Sequence, residues 1–128
     1  MTLNVKMPNP LKPFFEKELF LYEQMMQAQN YSQAWLHLER AHIIGQLYPF
    51  AHSLVHWKML SFGIKLKKVG EIIGQLPRLI FGGVKSFVGT IPTGNTGGAN
   101  VSALKPLPIP ADIMQMFAQA NIKFYQHK

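Results

Sequence analysis

The chain contains no cysteine. Disulfides, thiolate-bound metals and cysteine nucleophiles are therefore excluded, and a reducing compartment suits the composition. Acidic residues are also scarce. Six Asp and Glu stand against 13 Lys and Arg, for a formal net charge of +7. No apolar run approaches the roughly 18–20 residues needed to span a bilayer. The nearest, Leu76 to Val88, is interrupted by Pro77, Arg78, Gly82, Gly83 and Lys85. Residues 1–13 lack the charged start, apolar run and small-residue cleavage site of a signal peptide, so a cytoplasmic location is expected. There is no internal repeat, which argues against a solenoid.

What remains is 128 residues, 48% hydrophobic and only 15% charged. Such a balance favours burial over disorder, and the length suits one domain with a modest core. Residues 1–13 carry three prolines and read as an extended arm. Apolar residues then recur at helical spacing from Phe14 to Gln29. Asn30 is a suitable N-cap for a second helix reaching about Gln46, with Gln33 at the capping-box position. Pro49 suits the first turn of a third helix, continuing to about Lys68. A fourth stretch, Val69 to Val88, contains Pro77, which should kink or split it. Residues 89–110 (GTIPTGNTGGANVSALKPLPIP) have four glycines, four prolines and no periodicity, and Ala111 to about Tyr125 reads as a closing helix. The expectation is an all-α fold, a small four- to five-helix bundle with a long Gly/Pro-rich segment before the last helix.

The chemistry concentrates between Glu39 and His56. Glu39 and His42 are three apart and project from one side of the second helix. Such a Glu-x-x-His pair presents a carboxylate and an imidazole from one turn, as metal-binding bundles do. His52 and His56, four apart, can chelate one ion from the third helix. The connection between these helices, about Leu47 to Tyr48, is short and favours an antiparallel hairpin. One carboxylate and three imidazoles would then converge, a donor set suited to zinc or to non-haem iron or manganese. Glu18 is the preferred further ligand from the first helix, with Glu16 and Glu23 as rivals. A single Glu-x-x-His motif favours one ion, while Glu71 keeps a dinuclear site open. His37 lies about 100° or more around the wheel and is set aside as a ligand. A metal-dependent enzyme or a metal carrier would follow. The competing explanation is a buried Glu–His hydrogen-bond network with no metal.

Two other features bear on function. Lys58, Lys65, Lys67, Lys68, Arg78, Lys85 and Lys105 face one acid, Glu71, across the middle of the chain. Such a face can meet nucleic acid, an acidic protein or an anionic membrane, although a solvated helix face is the ordinary explanation. The alternative function is thus a metal-free helical interaction module. The GNTGGAN run (Gly94 to Asn100) could cradle a phosphate on backbone N–H groups. It follows no strand and matches no phosphate-loop pattern, so a lid or clamp packed against the helices makes better sense. An unidentified small molecule or protein is a further partner under either function.

The motifs LERAHIIGQ (Leu38 to Gln46), HSLVHW (His52 to Trp57) and PTGNTGGANVSALKPLPIP (Pro92 to Pro110) resemble those of an uncharacterised family of small bacterial proteins, domain of unknown function 3703. The resemblance implies that the helix pair and the glycine–proline segment form one unit. It implies neither a reaction nor a metal.

Overall fold

The computed structural model describes residues 6–88, 95–100 and 107–122, with the backbone alone for 80–88. Among them are five helices and no strand: α1 (Lys12–Gln27), α2 (Tyr31–Gly45), α3 (Pro49–Lys65), α4 (Val69–Val88) and α5 (Ala111–Gln119). Each of α1 to α4 packs against its neighbour in sequence, as short connections favour. The all-α small bundle expected from periodicity is what forms.

Local chemistry explains most boundaries. Asn30 caps α2, its side-chain oxygen accepting the Gln33 N–H at 3.4 Å. Pro49 opens α3, where its missing N–H costs no helical hydrogen bond. Three helices end on non-glycine residues in the left-handed region: Gln29 (φ 58°), Lys67 (φ 56°) and Asn121 (φ 57°). Each reversal is closed by a backbone hydrogen bond spanning it, namely Asn30 N–H to Met25, Lys68 N–H to Gly63 and Ile122 N–H to Phe117. These are Schellman-type closures. They stop α3 at Lys65 and α5 at Gln119, earlier than periodicity suggests, because apolar spacing does not reveal where a left-handed residue falls. Tyr125 lies outside the described residues.

The arm also differs from expectation within residues 6–13. A turn closes from the Pro8 carbonyl to the Leu11 and Lys12 N–H groups, and Leu11 is fully buried. Pro77 does not split α4, which continues through it to Val88.

The core gathers Leu11, Phe15, Tyr22 and Met26, then Leu38 and Ile44, Val55, Met59 and Phe62, and finally Ile113 and Phe117. The small stripe Ala34–Leu38–Ala41–Gly45 gives α1 close access to α2. A Cβ on Gly45 would lie 2.9 Å from the Phe15 ring. Replacing Asn30 by alanine should cost about 0.5–1 kcal/mol in a chemical denaturation midpoint, the low end for a cap whose bond is long and exposed.

A buried three-histidine cluster

The α2–α3 hairpin brings His42, His52 and His56 together. All three are buried. Their Nε2 atoms form a small triangle: 3.0 Å from His42 to His52, 3.1 Å from His42 to His56 and 2.9 Å from His52 to His56. The rings meet edge to face, with centroids 4.6–4.8 Å apart.

Surrounding groups decide which ring nitrogens carry hydrogen. His42 Nδ1 lies 2.7 Å from the carbonyl oxygen of Asn95. A carbonyl only accepts, so Nδ1 donates and the neutral ring has its lone pair at Nε2. His56 Nδ1 lies 2.6 Å from Gln75 Oε1. The orientation of that amide is set by its other end, since Gln75 Nε2 donates to the Gly97 carbonyl at 2.7 Å and to Glu71 at 3.0 Å. His56 Nδ1 therefore donates as well, and its Nε2 is also a lone pair. Two lone pairs thus face each other at 3.1 Å. If His52 holds its hydrogen at Nε2, that hydrogen can serve only one of them.

A proton would relieve the repulsion, but the site disfavours one. Burial pushes the His42 pKa well below its ordinary value of 6.5, and positive charge on His56, His52 and Arg78 would push it the same way. The unfolded chain therefore binds a proton near pH 6.5 that folded His42 refuses. Stability is expected to be level above about pH 7 and to fall as pH drops from about 6.5 toward the lower folded value. A denaturation series from pH 8 to pH 5 checks this.

A cation is the other remedy. The centre of the triangle is about 1.7 Å from each nitrogen, inside the usual metal–imidazole distance of about 2.0–2.1 Å, so one ion can touch all three. The backbone and amide groups that lock the far nitrogens of His42 and His56 are the usual outer partners of metal-binding histidine.

Residues 95–100 strap this cluster from above. Asn95 Oδ1 accepts the Gly97 N–H at 2.8 Å, and Glu71 Oε1 accepts the Ala99 N–H at 2.9 Å. Gly97 has φ +86°, and its backbone rests directly on the His42 ring. Residues 95–100 thus pack on the helices, as the lid or clamp reading expects, and the Gly97 and Ala99 N–H groups serve side chains. Gly94 lies outside the described residues.

The remaining candidate ligands lie apart from the triangle. Among the described residues, the only three-membered group of His, Asp or Glu close enough to hold an ion is His42, His52 and His56. Glu39 is half-buried and hydrogen-bonds Thr96. Burial raises its pKa, the Thr96 bond opposes this, and the Glu71 charge adds to it. Glu71 itself serves Gln75 and Ala99. Glu18 is buried on a different side of α2, accepting from Arg40 Nε at 2.9 Å and pairing with His37 Nδ1 at 2.7 Å. Arg40 also pairs with Asp112 of α5, and these groups line a cleft of about 500 Å³. The reason is angular. His37 and His42 are five positions apart, about 140° around the helix, so α1 cannot serve both faces. Glu16 is exposed, and the Glu23 carboxylate pairs with Lys58 at 3.2 Å.

Sequence reasoning missed Gln75 and the Asn95 carbonyl. Gln75 carries no motif, and a backbone carbonyl has no signature at all.

The fold and cluster define a small helical bundle with a buried trio of imidazoles, two of them held by outer hydrogen-bond partners. The chain belongs to the family described as Protein of unknown function (DUF3703), whose model matches residues 9–117. No curated protein and no solved structure matches it.

Proposed function

We propose that this protein binds one divalent first-row metal ion through the Nε2 atoms of His42, His52 and His56. The supporting observation is the pair of lone pairs, on His42 and His56, held face to face at 3.1 Å by outer partners that each accept a hydrogen bond. Three neutral imidazoles form a borderline donor set that suits zinc or iron better than manganese, which favours oxygen. Glu39 and Glu18 are not required as ligands. Three protein donors leave a coordination position for water or substrate, the pattern of catalytic rather than structural zinc. A zinc ion there would lower the pKa of bound water and supply a nucleophile near neutral pH.

The test is elemental analysis of protein purified from cells supplied with zinc, iron and manganese. About one equivalent of a single metal is expected, lost on chelation at mildly acid pH and regained with added zinc or cobalt. A protein that carries no stoichiometric metal and takes up neither ion refutes the reading. The trio is then a buried hydrogen-bond network in a metal-free interaction module.

A further inference from the structure

α3 carries apolar residues on two faces, with Ser53, Lys58, Ser61 and Lys65 as its polar and charged positions besides the histidines. An amphipathic helix of a small domain ordinarily turns one apolar face to the core. Its inward face holds His52, Val55, His56, Met59, Phe62 and Gly63. Its outward face is also apolar: Phe50 is 72% exposed, Leu54 41%, Trp57 55% and Ile64 57%. Positions 50, 54, 57, 61 and 64 fall within about 80° of arc and run about 21 Å along the helix. Only Ser61 interrupts them. α4, packed against α3, turns a second apolar stripe outward through Val69, Ile73 and Leu76. Folding leaves this surface in water, so a second apolar phase would lower its free energy.

The charge around the stripe selects the occupant. No acidic residue lies between Glu39 and Glu71. Lys65, Lys67 and Lys68, at and just beyond the end of α3, are exposed. A second copy of the chain would set like charges against each other, whereas an anionic lipid surface meets both the lysines and the apolar side chains. We propose that the outward face of α3 docks the protein on an anionic membrane surface, with Phe50, Leu54 and Trp57 entering the headgroup–acyl boundary and Lys65, Lys67 and Lys68 meeting lipid phosphates. No helix of the described chain is long and apolar enough to cross a membrane, so the contact is peripheral. Phe50, Leu54 and Trp57 are exposed and lie about 100–160° around the helix from the buried His52 and His56, so docking does not need the metal site.

The chain has two tryptophans. Trp35 is packed on Phe62 at 5.0 Å between ring centroids, and Trp35→Phe keeps an aromatic ring there while leaving Trp57 as sole reporter. W35F protein should co-sediment with vesicles of phosphatidylglycerol and phosphatidylcholine but not with phosphatidylcholine alone. Trp57 emission should shift to the blue, and binding should weaken as salt rises. Adding Phe50→Ser and Leu54→Ser should lower vesicle affinity about tenfold or more, from the apolar area no longer buried in lipid. Both positions are exposed, so the thermal midpoint should hold and loss of binding will not report misfolding. Three results overturn the proposal. One is no co-sedimentation with the anionic vesicles at low salt. Another is co-sedimentation with no emission shift or no loss in the double variant. The third is an emission shift that grows with protein concentration without lipid, which identifies a second copy as the occupant.

Discussion

Substituting His56 by alanine is expected to lower zinc affinity by about three orders of magnitude. Structural zinc sites bind with about 10–16 kcal/mol, so the share of one of three donors is several kcal/mol, and each 1.4 kcal/mol is tenfold. Isothermal titration of metal-stripped protein, or competition with a chromophoric chelator, measures the change. The substitution also leaves Gln75 Oε1 without its 2.6 Å donor, so apo stability should fall as well, and the two effects must be separated. His37→Ala is the control. His37 pairs with Glu18 on another side of α2, so its loss should leave zinc affinity within about twofold, as expected for a site outside the coupled network. Equal affinity in the His56 and His37 variants would remove His56 from the ligand set.

Gly97→Ala should be among the most disruptive single substitutions. A Cβ there would sit 2.6–2.9 Å from three atoms of the His42 ring. The ring cannot retreat, because Asn95 holds its Nδ1 at 2.7 Å and two imidazoles stand at its Nε2. The backbone is unfavourable too, since φ +86° is costly for any residue with a side chain. Overpacking of about 1–3 kcal/mol and a backbone cost of about 1–2 kcal/mol together predict a loss of about 2–5 kcal/mol. Urea denaturation of the apo protein reads this directly. Gly70→Ala makes the contrast: nothing lies within 4 Å of a Cβ there, and alanine in a helix should be neutral or stabilising by up to about 1 kcal/mol. A loss below about 1 kcal/mol at Gly97 would mean the strap does not rest on His42.

Both expectations depend on long-range placement, and the legible part of this chain was local. The caps at Asn30 and Pro49, the hairpin between α2 and α3, and the pairing of His42 with His52 and His56 all follow from spacings of a few residues. A helix repeats every 3.6 residues, and a short turn leaves its partner little choice but to run back alongside. That part of the glycine-rich run would pack on the helices was also legible, from composition and from the poor match to phosphate loops.

The carboxylates were another matter. Glu39 shares a helix side with His42, and Glu18 lies on the helix that packs on α2, so both were reasonable ligands by spacing. Their direction depended on competitors invisible to periodicity: Thr96 for Glu39, and His37 with Arg40 for Glu18. A carboxylate goes to the strongest donor it can reach, and reach is set by packing.

The sequence by itself thus determined the helices, the turn that folds α2 onto α3 and the three histidines able to meet. Those features rest on contacts between near neighbours. Tertiary structure alone decided the tautomers that leave lone pairs facing inward, because the groups that set them, Gln75 and the Asn95 carbonyl, stand 19 and 53 residues from their histidines. It also decided that one face of α3 stays in water. A helix with apolar residues on two faces does not say which side its neighbours will cover.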